Sequence, residues 1–302
     1  MAKKFKKRYT VLVVILVIFI AGTAFITHNV LPYAVISRQK RTVTTPPSQY
    51  DLKVEAASFQ LTDSTQLKGY YTYPKDSIPK GIIIFLHGIG GAKEHFYELS
   101  KTLNEKNIAT VVYDARAHGK SDGQYITYGY YEKYDVQVIV DSIKQKHPEL
   151  PIGIWGNSMG GAVAIQALAV EPRIDFGIIE STFTDLEQIV YDYQKRYTLG
   201  IGLRFISDYS LKRAGEIAQF DPSQVMPIEA VQHIEQPMFI AHGTADPNIK
   251  FEYGQQLFEK LKSKNKTFYP VEGANHYNLF QVGKAPYEQA IWGFMLDNIE
   301  AN

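Results

Sequence analysis

The pentapeptide Gly156-Asn157-Ser158-Met159-Gly160 decides the fold that the sequence predicts. It follows Pro151–Trp155, a short apolar run typical of a strand, and precedes Gly161–Val170, whose small and apolar residues are typical of a buried helix. A G-x-S-x-G motif between a strand and a helix predicts a sharp turn that presents its serine at the helix N-terminus. Glycine suits the ends of this turn because it lacks a side chain that would crowd the backbone. Ser158 is therefore the candidate nucleophile, and a Gly-rich turn with only a structural role is the alternative.

Strand-like apolar runs alternate with amphipathic helical segments along most of the chain. In chain order, the runs of strand type are Val54–Leu61, Leu67–Tyr73, Gly81–Leu86, Ala109–Tyr113, Ile152–Trp155, Phe176–Glu180, Met238–His242 and Lys266–Val271. The first two runs predict a hairpin. The others predict βαβ units, and hence a mostly parallel central sheet with helices on both faces and right-handed crossovers.

The alternation breaks between Thr182 and Gln236, where the residues carry helical patterning and no convincing strand. This insertion, at about residues 183–236, predicts a helical cap over the carboxyl edge of the sheet. Ordinary crossover helices are the alternative. The segment is rich in aromatic residues, and Phe205 and Tyr209 within it are candidates for contact with a substrate.

A serine hydroxyl needs a base to act as a nucleophile, and a histidine base needs a carboxylate to orient it. In this architecture such groups lie on loops beyond the carboxyl ends of the strands. Asp246 follows the seventh strand-like run and His276 follows the last one. The order Ser158, Asp246, His276 is the nucleophile, acid and base order of hydrolases with this turn. Glu180, at the end of the sixth run, is the rival candidate for the acid.

A second Gly-rich turn, His87-Gly88-Ile89-Gly90-Gly91, directly follows an apolar strand-like run. Such a turn can aim a backbone N–H at a developing oxyanion, which predicts Ile89 as one donor and Met159 as the other. We expect His87 to shape the turn rather than act as a base. A metal pair of His118 and Asp122 is conceivable, but no recognised ligand motif accompanies it. We therefore predict no metal and no cofactor.

The N-terminal segment is predicted to be a membrane anchor. Five basic residues within positions 3–8 precede Thr10–Thr27, eighteen residues without a charge that would rise about 27 Å as a helix, enough to span a hydrocarbon core. Only three basic residues, at positions 38, 40 and 41, follow closely, so the positive-inside rule predicts a cytoplasmic N-terminus and an extracytoplasmic domain. A cleaved signal peptide is the alternative. We assign residues 1–28 to the anchor, 29–49 to a juxtamembrane linker and 50–302 to the globular domain.

Composition narrows the classes of protein. The chain has 302 residues and a formal net charge of +1, which gives no indication of a nucleic-acid surface. It has no cysteine, which excludes disulfides, a thiol nucleophile and an anchor built on a lipidated cysteine. Any attachment to a membrane must therefore come from the N-terminal span itself.

Taken together, the motifs resemble the α/β-hydrolase superfamily, in the branch of serine hydrolases labelled esterase, lipase-like or serine aminopeptidase-like. The resemblance is carried by HGIGG at residues 87–91, YDARAHGKSDG at 113–123, GNSMGG at 156–161, HGTADP at 242–247 and EGANH at 272–276. It implies Ser158 as nucleophile, Asp246 as acid, His276 as base, and Ile89 and Met159 as oxyanion donors. Serine rather than aspartate at position 158 argues against the haloalkane dehalogenase and epoxide hydrolase branches.

The leading hypothesis is a membrane-anchored serine hydrolase that cleaves a small-molecule carboxylic ester through an acyl-enzyme. An aminopeptidase or amidase, or a thioesterase acting on acylated proteins, would use the same chemistry on another substrate. An aminopeptidase would need acidic residues near the site, for which Asp185, Glu187 and Asp192 are candidates. A non-catalytic binding protein of the same fold is disfavoured because each position of the triad is filled.

Overall fold

A computed structural model describes residues 2–39, 43 and 45–301, with side chains from residue 8 onward. Its strands are β1 (Lys53–Gln60), β2 (Gln66–Tyr73), β3 (Gly81–Leu86), β4 (Ile108–Tyr113), β5 (Ile152–Asn157), β6 (Phe176–Glu180), β7 (Met238–Gly243) and β8 (Lys266–Val271). Its α-helices are α1 (Ala2–Asn29), α2 (Leu31–Ile36), α3 (Tyr97–Glu105), α4 (Glu132–Lys146), α5 (Met159–Leu168), α6 (Leu186–Tyr197), α7 (Arg204–Ala218), α8 (Pro227–Ala230), α9 (Phe251–Lys260) and α10 (Leu279–Glu300).

The strands form one sheet in the order β1-β2-β4-β3-β5-β6-β7-β8. Strand β2 pairs antiparallel with both β1 and β4, and every other pairing is parallel. The predicted hairpin and the mostly parallel sheet are therefore confirmed. Because β3 and β5–β8 run in the same direction, the loops that follow them meet at one edge of the sheet.

Strand β3 shows how the sheet is buried on both faces. Ile82 and Ile84 pack in the apolar layer that includes residues of α4 and α5, whereas Ile83 and Phe85 pack in the layer that includes residues of α3 and α10. Successive side chains of a strand point to opposite faces, so one unbroken apolar run supplies both layers. The helices lie on both faces, as the sequence predicts.

The long insertion between β6 and β7 is helical. It contains α6, α7 and α8, and its apolar residues form a third buried cluster, which includes Phe183, Leu186, Ile189 and Leu211. Met159 at the start of α5 belongs to the same cluster, so the insertion packs on the edge of the sheet that carries Ser158. This cluster also includes Ile36, from far upstream in the chain.

The N-terminal helical segment is apolar enough to cross a membrane: an 18-residue window within Arg8–Ile36 reaches a mean hydropathy of 2.7. Its last turn contacts the insertion, where Ser210 Oγ donates a hydrogen bond to the carbonyl of Thr27 at 3.3 Å. Beyond it, α2 lies inside the predicted linker, and its Ile36 is fully buried. The N–H of Gln39 then donates to the carbonyl of Ala117 at 2.8 Å. This part of the linker packs on the domain because its apolar residues complete the third cluster.

Candidate active site

Ser158 stands on the strained turn between β5 and α5. Its backbone has φ +53° and ψ −122°, an unusual conformation for a residue with a side chain. A Cβ added to Gly156 would lie 2.2 Å from the carbonyl oxygen of Gly160, and one added to Gly160 would lie 2.1 Å from that of Leu86. Both glycines of the motif are therefore required by close backbone contacts. Thr182 Oγ1 donates to the Ser158 carbonyl at 2.7 Å, which helps to hold the turn.

Asp246 and His276 form a hydrogen-bonded pair on the loops after β7 and β8. Nδ1 of His276 lies 2.7 Å from Oδ2 of Asp246. A carboxylate only accepts hydrogen bonds, so Nδ1 carries the proton and Nε2 keeps a free lone pair. The hydrogen bonds that the structure describes for His276 do not include one to Ser158 Oγ. In unliganded enzymes such contacts often tighten only when substrate binds.

The Asp246 carboxylate is built to stay ionised. Burial alone would raise the pKa of this carboxyl, but hydrogen bonds from His242 and His276, with the attraction of His276 and a backbone N–H, hold that pKa well below its usual range. Its Oδ1 accepts the N–H groups of Asn248 at 2.7 Å and Ile249 at 3.0 Å. A permanently charged carboxylate suits the acid of a triad because it stabilises the imidazolium that forms during proton transfer.

Glu180, the rival acid, is engaged elsewhere. Its Oε2 accepts the indole N–H of Trp155 at 2.9 Å, and its Oε1 accepts the hydroxyl of Tyr287. Burial raises the pKa of this carboxyl, against the opposing effect of those two hydrogen bonds. Glu180 thus connects β6 to β5 and α10. Its hydrogen bonds go to Trp155 and Tyr287, whereas His276 is bonded to Asp246.

Two histidines brace the turn that carries Ile89. Nε2 of His87 accepts the N–H of Ala115 at 2.9 Å, so its Nδ1 carries the proton and donates to the Gly88 carbonyl at 2.8 Å. Nε2 of His118 accepts the N–H of Gly90 at 3.3 Å. Burial and the neighbouring His118 lower the pKa of His87 to about 3, so His87 is neutral and shapes the turn. The role of His118 was missed at the sequence level, because its partner lies 28 residues upstream.

The turn lies directly over Ser158. A Cβ added to Gly88 would lie 3.2 Å from Cβ of Ser158. The N–H of Met159 belongs to the first turn of α5, where helix geometry leaves N–H groups without an intrahelical acceptor. Together with Ile89, this arrangement brings both predicted oxyanion donors to the same small volume as the serine.

An apolar cavity of about 750 Å³ adjoins this volume, and Ser158, Ile89 and Met159 all contribute to its wall. The described residues that line it include no carboxylate and no cation. Helices α6 and α7 supply much of the rest, including Tyr193 and Ile206. The insertion therefore covers the site in the position of a cap.

The two cap residues chosen from the sequence are not part of the cavity wall. Phe205 is 70% exposed, and the Tyr209 hydroxyl lies 2.7 Å from Nδ1 of His28. Ile206 and Ser210 line the cavity instead. The reason is helical geometry: consecutive residues of a helix are rotated by about 100°, and the face of α7 that carries Ile206, Ser207 and Ser210 toward the cavity leaves Phe205 and Tyr209 outside it.

Comparison with known proteins identifies a family and several relatives that this chain resembles. Residues 77–225 match the family described as serine aminopeptidase, S33. The protein YqkD of Bacillus subtilis is 30% identical over 239 residues, which cover 77% of this chain and 76% of YqkD. Lysophosphatidylserine lipase ABHD12 of Macaca fascicularis is 30% identical over 194 residues, covering 59% of this chain but only 44% of that protein. Human monoglyceride lipase is 27% identical over 233 residues, covering 66% of this chain and 76% of the lipase.

A solved structure agrees with these relatives. The esterase Pf2001 of Pyrococcus furiosus superposes with a TM-score of 0.73 at 22% identity, over 87% of this chain and 98% of the esterase. At that identity the likeness concerns the fold. The chain belongs to the α/β-hydrolase superfamily of serine hydrolases, and two of the relatives named above are lipases, which supports ester hydrolysis as its general activity.

Proposed function

We propose that this protein is a membrane-anchored serine hydrolase that cleaves carboxylic esters of one long acyl chain through an acyl-enzyme on Ser158. The observation that carries the proposal is the cavity, in which one apolar wall joins Ser158 to Ile89 and Met159. In this mechanism the Ser158 hydroxyl attacks the ester carbonyl while His276 Nε2 takes its proton, and Asp246 stabilises the resulting imidazolium. The oxyanion accepts hydrogen bonds from the N–H groups of Ile89 and Met159. His276 then protonates the leaving alcohol, and water releases the acid.

The size of the cavity supports a single acyl chain. A methylene group is close in volume to a water molecule, roughly 30 Å³ in the liquid, so sixteen carbons need on the order of 500 Å³ and two such chains about 1,000 Å³. The cavity offers about 750 Å³. Two of the relatives are named for substrates with one acyl chain, lysophosphatidylserine and monoglyceride. Each methylene group that is buried against the apolar wall stabilises the bound substrate by about 0.8 kcal/mol, so long acyl chains should bind better than short ones.

The aminopeptidase alternative lacks the acidic pocket it needs. Asp185 caps the start of α6, where Oδ1 accepts the N–H of Gln188 at 2.7 Å. Asp192 is paired with Lys250 at 2.9 Å. Glu187 is half exposed and lies 4.0 Å from Arg204. Since none of these carboxylates lines the cavity, a free substrate amine would find no counter-charge there.

A substrate series tests the proposal on the full chain in detergent. Wild type should hydrolyse p-nitrophenyl esters with kcat/KM rising from acetate to palmitate, and it should prefer monopalmitoylglycerol to dipalmitoylglycerol. Leucine p-nitroanilide, which carries a free amine, should be a poor substrate. Faster cleavage of the anilide than of every ester would contradict the proposed class, and equal rates on the mono- and diacylglycerol would contradict the single-chain pocket.

A further inference from the structure

The end of the apolar N-terminal helix belongs to the same cavity as the nucleophile. Thr23, Ile26 and Thr27 of α1 line that cavity together with Ser158. This part of α1 is fixed to the cap, because the Thr27 carbonyl accepts the hydroxyl of Ser210 and the adjacent His28 contacts Tyr209. Helix α2 continues the same wall. The anchor is therefore a structural part of the pocket and not a flexible tether.

The position of these residues along α1 sets the depth of the pocket. Thr27 is the last residue of the uncharged stretch, and Thr23 lies four residues before it. At 1.5 Å per residue, the wall of the pocket reaches about 6 Å into the span. In a membrane crossed by α1, this side of the pocket lies at the level of the acyl chains of the nearer leaflet.

A second exposed apolar surface lies beside α1. We use the term cap tip for residues 197–205, between the end of α6 and the start of α7. Leu199 is 97% exposed, Ile201 is 65% exposed and Phe205 is 70% exposed. Two basic residues, Lys195 and Arg196, directly precede the cap tip, and a third, Arg204, lies near its end. A contiguous apolar surface bordered by cations is typical of a segment that enters the interface of a lipid bilayer.

Two observations favour a lipid bilayer as the partner that covers the cap tip. The cap tip is continuous with the candidate span through the cavity, since Ile201 and Leu203 line the same wall as Thr23. The span itself carries its apolar side chains outward, with Val13, Leu16 and Phe19 more than half exposed. Both surfaces therefore need the same apolar solvent.

We propose that the cap tip inserts into the outer leaflet beside α1 and that the lipid substrate enters the pocket from the bilayer, along a wall formed by Thr23, Ile26 and Thr27. The proposal rests on the proposed function in one respect, that the acyl chain of the substrate occupies this cavity. It adds that the anchor selects the acyl chain as well as holding the enzyme at the membrane. Such an enzyme extracts its substrate from the membrane without releasing it into water.

Two tryptophan substitutions on opposite faces of α1 test the pocket wall in the full chain. Thr23→Trp places bulk in the cavity, whereas Ala21→Trp places the same bulk on an exposed face of the same turn. In phosphatidylcholine vesicles, Thr23→Trp should lower kcat/KM for monopalmitoylglycerol by about tenfold or more relative to kcat/KM for p-nitrophenyl acetate, because it displaces several methylene contacts. Ala21→Trp should change neither. If wild type is active on both esters and Thr23→Trp hydrolyses monopalmitoylglycerol at the wild-type rate, the claim that α1 forms a wall of the substrate pocket is wrong, and the proposed function still stands. Wild type inactive on both esters would overturn the proposed function as well.

Insertion of the cap tip is tested without catalysis. The chain has no cysteine, so a single Leu199→Cys substitution can carry an environment-sensitive fluorophore. Ile78→Cys is the matched control, since Ile78 is 87% exposed and lies before β3, at the opposite edge of the sheet from Ser158. Nitroxide-labelled phosphatidylcholine in the vesicles should quench the fluorophore at position 199 and leave the one at position 78 unquenched. Equal quenching at both positions would overturn the insertion, as would a blue-shifted but unquenched signal at position 199, which would indicate a protein partner.

Discussion

Asp246 holds His276 by a hydrogen bond of 2.7 Å between Oδ2 and Nδ1, and the same Oδ2 lies 3.5 Å from Nε2 of His242. This pair joins the loops after two neighbouring strands, β7 and β8, at the edge of the sheet that carries Ser158. Glu180, only one strand away, is turned toward Trp155. The direction in which these two buried carboxylates point therefore favours Asp246 over Glu180 as the proposed acid.

The two carboxylates should differ sharply when each is neutralised. Asp246→Asn should lower kcat on a p-nitrophenyl ester by about 10⁴, because the imidazole loses the partner that sets its tautomer and stabilises its charge. Glu180→Gln should cost far less, since its contacts brace β5 and α10 and do not reach His276. Circular dichroism establishes that both variants are folded. The reverse ranking of kcat would assign the acid to Glu180.

Neither Asp246 nor His87 should contribute to the acid limb of kcat/KM. The pKa of Asp246 is held well below its usual range, and the pKa of His87 is lowered to about 3, so neither group changes charge between about pH 5 and 8. A general base must be neutral, so kcat/KM should rise with pH and then reach a plateau. His242→Gln should keep the limb, whereas His276→Gln should lose it with most of the activity. A wild-type profile that is flat across this range in single-turnover acylation would remove His276 as the base.

Cavity residues of α7 should control acyl-chain length. Ile206 lines the cavity and Phe205 does not, although the two are adjacent. Ile206→Trp should shift the preferred p-nitrophenyl ester to a shorter chain, because each methylene excluded costs about 0.8 kcal/mol. Phe205→Trp, assayed in detergent, should keep the wild-type preference. Identical chain-length profiles for both variants would show that this part of the cap does not contact the acyl chain of the substrate.

The N-terminal helix should remain in the mature protein as an anchor. The full chain should sediment with membranes and resist extraction by alkaline carbonate, because α1 exposes an apolar surface long enough to cross the hydrocarbon core of a bilayer. Protease added to intact cells should reach the hydrolase domain if the positive-inside rule holds for this chain. N-terminal sequencing of the mature protein distinguishes the alternative. A start near Phe25 would establish cleavage of a signal peptide.

Local features made much of this molecule predictable. The turn at Ser158 depends on two glycines, because a Cβ atom at either position would lie about 2 Å from a backbone oxygen. The motif therefore predicts the geometry of the turn directly. Asp246 and His276 could be found because parallel strands end at one edge, which converts chain order into proximity. The helical character of the insertion followed from its composition and the absence of a strand pattern.

Long-range packing was beyond the reach of the sequence. Thr23 and Ser158 line one cavity although they lie 135 positions apart in the chain, and no local pattern indicates that α1 docks on α7. Phe205 and Tyr209 were chosen as aromatic residues of the cap, but the choice between adjacent faces of a helix depends on how that helix is rotated against its neighbours. The apolar run of α2, directly after the span, was the one signal that could have indicated a docked segment.

Labelling by a fluorophosphonate tests the central claim, that Ser158 is the nucleophile, most directly. The full chain in detergent is incubated with a fluorescent fluorophosphonate, and the modified peptide is identified by mass spectrometry. Ser207→Ala is the matched control, because Ser207 also lines the cavity. Wild type and Ser207→Ala should be labelled on the peptide that contains Ser158, and Ser158→Ala should be folded and unlabelled. Labelling that persists in folded Ser158→Ala would contradict the account.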